Sequence, residues 1–181
     1  MKSSNCTLFS GGAKGAEEEF GIQAEKAGIE EVNFTFEEHG IKRKRGLHFL
    51  THEELKKGEV SLTYLSRMMN RSYAHGPKLK KVLQSIWHQI NNAEEVFIVG
   101  KILDDGTVKG GTGWGAEFAK MCNKALHVFD QDQKEWFKWN QDRWKQHTPK
   151  IRKKRFAGGG TRFLTADGKK AIADLYKTSF K

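Results

Sequence analysis

The sequence predicts an α/β fold with a mainly parallel sheet, and three observations carry that prediction. Strand-like and helix-like segments alternate along the chain, the pattern of strand–helix–strand units. Val96-Phe97-Ile98-Val99 is uninterrupted and apolar, as expected of a strand buried on both faces. Glycines gather in three clusters, each placed where a strand would hand over to a helix.

Taken in order, Cys6-Thr7-Leu8-Phe9-Ser10 reads as a first strand over 6–10. Gly11-Gly12-Ala13-Lys14-Gly15 then turns it into a helix over 15–27. A second strand is expected over 31–36. A helix over 79–91 precedes the central strand at 96–100, after which Asp104-Asp105-Gly106 has the chemistry of a hairpin turn. Gly110-Gly111-Thr112-Gly113-Trp114-Gly115 opens a helix over 114–123, followed by a strand over 125–129. Trp136-Phe137-Lys138-Trp139, with Trp144, interleaves aromatics and bases. That set packs the sheet edge, in the core or between subunits, or else stacks single-stranded bases. A last strand over 155–158 leads through Gly158-Gly159-Gly160 to a helix over 166–178. In that helix Ala171, Ile172, Leu175 and Tyr176 share one face and Thr165 suits the N-cap.

The 181 residues suit one domain over 1–181 with a sizeable core. A hydrophobic content of 37% excludes a disordered polycation despite the net charge of +10. No window approaches a membrane span. The first residues turn polar too early for a secretory signal, so a cytoplasmic location is expected. Cys6 and Cys122 stand far apart without a CxxC pair, which argues against a disulfide framework or a structural zinc site. His39, His48, His52, His88, His127 and His147 show no metal-ligand spacing, and no metal or cofactor is expected. The positive balance implies an anionic partner: nucleotide, phosphate or nucleic acid.

Glycine-rich strand-to-helix turns suit phosphate because the backbone can approach the anion and the helix N-terminus offers free N–H groups. In a parallel sheet such turns gather at the carboxyl ends of the strands. Three of them, with Lys14 in the first and Arg162 after the third, predict a cationic, N–H-rich cleft; the alternative is that the glycines only permit close packing. Neither GxxxxGK[ST] nor GxGxxG after the first strand occurs, which disfavours ATPase, GTPase and ordinary NAD-dehydrogenase chemistry. Asn70-Arg71-Ser72-Tyr73-Ala74-His75-Gly76 is expected either to cap the cleft or to be a plain connection. As a cap, Arg71 would pair with a phosphate and Tyr73 or His75 would stack on a base. The basic runs Lys42-Arg43-Lys44-Arg45, Lys78-Leu79-Lys80-Lys81 and 150–155 form a nucleic-acid footprint if they are continuous, and solvated loops if they are not.

Phe9-Ser10-Gly11-Gly12-Ala13-Lys14-Gly15-Ala16-Glu17 resembles the SGGAxGAD signature of the SLOG superfamily. Gly110-Gly111-Thr112-Gly113-Trp114-Gly115-Ala116-Glu117 resembles the GGxGTxxE motif of its lonely-guy phosphoribohydrolase branch. Phe156-Ala157-Gly158-Gly159-Gly160-Thr161-Arg162 resembles the first strand of that fold, displaced to the C-terminus. The displacement is similar to the circularly permuted YpsA-like branch, which also carries the label of molybdenum-cofactor carrier.

The resemblance implies a three-layer Rossmann-like domain with ligand contacts from three loops. The first supplies Ser10, Gly11, Gly12, Ala13, Lys14 and Gly15. The second supplies Gly110, Gly111, Thr112, Gly113, Trp114 and Glu117; the third supplies Thr161 and Arg162. Three departures accompany it: Trp114 replaces the motif Thr, residues 101–109 are inserted, and the hydrolase branch's helical Arg falls near Ser85, among Gln84 and His88.

The expected function is binding of a nucleotide-derived small molecule (an ADP-ribose or NAD derivative, or a cyclic nucleotide signal) by a sensor or by a protein that sequesters immune signals. Two alternatives stand beside it: N-glycosidic hydrolysis of nucleoside 5′-monophosphates with Glu117 catalytic, and DprA-like single-stranded DNA binding. The aromatic set and the resemblance together imply a homodimer or a higher even oligomer.

Overall fold

The computed structural model describes residues 1–73 and 76–180. Six strands in the order β3 (Leu47–Phe49), β2 (Glu30–Thr35), β1 (Thr7–Ser10), β8 (Arg155–Gly160), β4 (Glu95–Gly100) and β5 (Ala125–Asp130) pair in parallel. β6 (Glu135–Asn140) and β7 (Arg143–Gln146) extend that sheet antiparallel at the β5 edge. Helices α1 (Ala16–Lys26) and α6 (Ala166–Ser179) cover one face. The other carries α2 (His52–Lys57), α3 (Glu59–Met69), α4 (Pro77–Asn92) and α5 (Gly111–Met121). The result is a three-layer, Rossmann-like α/β fold.

Strand alternation explains the two cores. In β4, Val96 and Ile98 join the α4–α5 core while Phe97 and Val99 join the α1–α6 core. Because both faces are covered, the run has no polar position to spare. β8 lies between β1 and β4, so the last strand of the chain occupies the centre of the sheet. Phe156 is fully buried there, edge-on to Phe97 at 6.2 Å and to Tyr176 at 6.0 Å.

Local chemistry follows the sequence at both ends of this arrangement. Thr165 Oγ1 accepts from Gly168 N–H at 3.1 Å and caps α6. The turn at Asp104-Asp105-Gly106 forms, with Gly106 at φ +77° and an antiparallel bridge between Ile102 and Val108. Five further elements were not expected from the sequence: β3, α2, α3, β6 and β7.

The β6–β7 hairpin places the tryptophans at the sheet edge. Trp136 is buried in the α1–α6 core, edge-on to Phe129 at 5.5 Å. Trp139 and Trp144 are half-buried and meet each other at 5.1 Å. Lys120 Nζ lies 3.8 Å from the Trp139 ring centroid, a cation–π contact. Trp144 Nε1–H donates to Gly106 O at 2.8 Å. The set therefore packs mainly against its own sheet edge, with Trp136 in the core and Trp139 and Trp144 half-buried. Among the described residues, no helix is long and apolar enough to cross a membrane.

Candidate functional site

Connections leave β1 toward β2 on one side and β4 toward β5 on the other, with β8 between them. Such a divergence opens a crevice at the carboxyl ends of the strands. The crevice is present as a cleft of about 1070 Å³ walled by the loops after β1, β4 and β8.

Seven of the predicted site residues line it: Ala13 and Lys14 from the first loop, Gly110, Gly111 and Thr112 from the second, Thr161 and Arg162 from the third. The glycines divide into two kinds. Gly15 has φ +98°, and a Cβ there would lie 2.5 Å from Thr161 O, so it lets the first and third loops touch. A Cβ on Gly113 would lie 2.0 Å from Val108 O, so it too serves packing. Gly110 meets nothing within 4 Å but has φ +69°, a conformation that favours glycine, whereas Gly111 meets nothing within 4 Å and packing requires no glycine there. They open α5, whose N-terminus has no side-chain cap; Gly113 N–H donates to Gly110 O at 3.1 Å, and the N–H groups of Gly111 and Thr112 remain for an anion.

The remaining predicted residues serve the frame. Ser10 Oγ donates to Gly158 O at 2.7 Å and ties β1 to β8. Gly11 sits beneath the Glu17 and Gln89 side chains, and Gly12 O accepts from the Lys42 and Arg43 N–H groups at 2.7 and 3.0 Å. Three side chains stand elsewhere than expected. Arg71 donates to Val108 O at 3.0 Å and Thr107 Oγ1 at 2.6 Å, holding the 101–109 insertion instead of facing the cleft. Trp114 is buried in the α4–α5 core, edge-on to Tyr73 at 5.6 Å. Glu117 is buried on the far side of α5, where its carboxylate pairs with Lys120 Nζ at 2.7 Å. Helical rotation accounts for it: Gly111, Thr112 and Gly115 face the cleft, and Glu117 lies about half a turn from Gly115. Tyr73 does not reach the cleft, its hydroxyl being 3.2 Å from Thr63 Oγ1. His75 lies outside the described residues.

The electrostatics are one-sided. Among the described residues, six cationic side chains line the cleft: Lys14, Lys42, Lys78, Lys101, Lys109 and Arg162. Lys101 pairs with Asp132, whereas the other five form no ion pair among the described residues. Among the described lining residues the one carboxylate is Glu17, the last position of the first motif, which the sequence reading did not single out. Its Oε2 accepts from Ala13 N–H at 2.9 Å, and burial pushes its carboxyl above the ordinary range. No cation stands at the position of the hydrolase branch's Arg. Ser85 is buried with its hydroxyl on Val82 O, and His88 turns away to Glu54 O. Phe163, 80% exposed, offers a bare aromatic face at the rim.

His39 closes one wall, 3.1 Å from Thr35 Oγ1 and stacked on Phe36 at 4.3 Å. Burial, helped by the Lys78 charge, lowers its imidazole from 6.5 to about 4. The unfolded chain therefore takes up a proton near 6.5 that the fold accepts only near 4, so acidification through this window costs stability. His39→Phe is expected to flatten the decline of melting temperature between about pH 6.5 and 5. Thermal melts across that range check it.

No protein-family model and no curated protein matches the chain. A crystal structure described as a "putative molybdenum carrier protein" from Syntrophus aciditrophicus is similar over 98% of this chain and 96% of its own length. The TM-score is 0.58 and the identity 14%, a likeness of fold: the two chains share the three-layer, Rossmann-like architecture.

Proposed function

We propose that the protein binds a nucleotide-derived anion in this cleft and holds it intact, as a sensor or a sequestering protein. The observation that carries the reading is the coincidence of five cations that form no ion pair among the described residues with an α5 N-terminus that has no side-chain cap. Phosphate oxygens suit the Gly110–Gly111 turn and the Lys14, Lys109 and Arg162 charges. A base suits the exposed Phe163 ring. The motifs that resemble the SLOG superfamily meet around this same cleft. The fold neighbour's name, that of a carrier, agrees with carriage of a small molecule. Binding is favoured over hydrolysis because Glu117 lies outside the cleft and no cation replaces the helical Arg near Ser85.

The test is calorimetric titration of the full chain with ADP-ribose, NAD, AMP and a cyclic dinucleotide, followed by heat denaturation and recovery of the ligand. Intact ligand is expected; free base with ribose phosphate would establish the hydrolase reading instead. Arg162→Ala is expected to weaken binding about tenfold to a hundredfold, the effect of losing a charge-assisted contact worth about 1.5–3 kcal/mol. Its melting temperature should hardly move, since Arg162 is exposed and forms no ion pair among the described residues. A mutant that melts far lower yet binds normally would assign Arg162 to the frame.

A further inference from the structure

Inside a cationic cleft, one polar pair has the wrong character for phosphate. Gln89, on α4, is 3% exposed and lines the cleft, yet its Nε2 has no hydrogen-bond partner among the described residues. Buried amide donors are paired in the great majority of folded proteins, so an unpaired one at a cleft wall marks a place for a ligand acceptor. The Glu17 carboxylate stands beside it. A Cβ on Gly11 would lie 2.7 Å from Gln89 Nε2 and 2.8 Å from Glu17 Oε2, so the two groups meet over the one residue that leaves them room. The amide is near enough to favour the charged carboxylate without making a hydrogen bond of normal geometry to it. Glu17 Oε2 takes Ala13 N–H at 2.9 Å, and the Gly11 N–H also favours the charged carboxylate.

A donor and an acceptor side by side complement a hydroxyl, which gives one hydrogen bond and receives another. The carboxylate repels phosphate from this spot, while the surrounding cations attract it elsewhere. We infer that Gln89 and Glu17 form a sugar-hydroxyl subsite, so that the cleft selects ligands with a free ribose hydroxyl over deoxy or hydroxyl-blocked ones. In this arrangement the phosphate lies at the α5 N-terminus, a hydroxyl donates to Glu17, and its oxygen accepts from Gln89 Nε2. The inference rests on the nucleotide-binding reading and narrows its ligand class. It adds an asymmetric element, because deoxynucleotides carry the same phosphates and the same bases.

The experiment compares AMP with 2′,3′-dideoxy-AMP on the unmodified full chain, with ADP-ribose as a reference ligand. A site built around a hydroxyl discriminates strongly against an analogue that lacks it, because its polar groups are then left unpaired. AMP is expected to bind about tenfold tighter or more. In Gln89→Leu and in Glu17→Gln that preference should shrink toward unity. Equal affinity of the unmodified protein for both nucleotides overturns the subsite and leaves the nucleotide reading standing. Binding of neither overturns the subsite as well, and if ADP-ribose also fails, the nucleotide reading falls with it. Because the first comparison needs no mutation, poor folding of a variant does not protect the inference.

Discussion

Phe156→Ala is expected to lower stability by about 3–5 kcal/mol, the range for truncating a fully buried phenylalanine. In a chain of this length that corresponds to a fall in melting temperature of about 6–20 °C. The residue sits on the central strand, with β1 and β4 on either side, so no loop can collapse into the space it leaves. Its ring meets Phe97 and Tyr176, and Tyr176 is itself fixed by a buried bond from its hydroxyl to Phe20 O at 3.0 Å. Neighbours held in this way relax little, which keeps the cavity open. Chemical denaturation measures the loss. A value below about 1 kcal/mol would show that Phe97 or Tyr176 swings in to refill the site.

The position of that strand was legible in the sequence because Phe156-Ala157-Gly158-Gly159-Gly160 ends in a glycine turn and precedes an amphipathic helix. Each of the other expected strands carries its own signal too, either a β-rich run or a glycine turn. The elements that escaped lack such signals. β3 has three residues on a sheet edge, too short for any period to appear. α3 buries Leu62 and Leu65 but exposes Val60, Tyr64 and Met68, so apolar residues occur on both faces and blur the helical pattern. The β6–β7 hairpin turns at Gln141-Asp142 with Gln141 at φ +62°, not at the Asn-Gly or Asp-Gly that marks such turns.

The site was legible to the level of its loops and no further. Glycine clusters announced three turns at one end of the sheet, and the cleft lies where they meet. Which side chain enters the cleft is a matter of helical rotation and of long-range pairing, and neither is written locally. Glu117 matched a motif and faces away; Glu17 ended the other motif and faces in. Gln89 carried no signal, since an amide in the middle of an amphipathic helix looks the same whether it meets protein or ligand. Arg71 is claimed by the 101–109 insertion, whose path no local pattern could reveal.

Arg43→Ala is expected to cost about 2–4 kcal/mol, although Arg43 belongs to a run that reads as a solvated basic loop. The reason is Glu31, whose side chain is fully buried on β2. Arg43 grips it with two donors, Nη2 at 2.6 Å from Oε1 and Nε at 3.2 Å from Oε2, the paired geometry that a planar guanidinium supplies. Gly21 of α1 leaves the room: a Cβ there would lie 2.7 Å from Arg43 Nε. Removing the arginine strands a carboxylate in the interior, which ordinarily costs about 3–5 kcal/mol. Arg45, 3.1 Å from the same oxygen, keeps the loss below that range. The exposed partner Glu25 adds little, being screened by water. If the stranded charge is the cost, Glu31→Leu combined with Arg43→Met should recover most of the stability, and the double-mutant cycle should show strong coupling. The same clamp holds the 37–46 loop, which brings His39 and Lys42 to the cleft wall. Limited trypsin digestion of Arg43→Ala should therefore cut at Lys42 or Lys44 well before the unmodified protein is cut. A cost within about 0.5 kcal/mol, with trypsin sensitivity unchanged, would return Arg43 to the solvated surface.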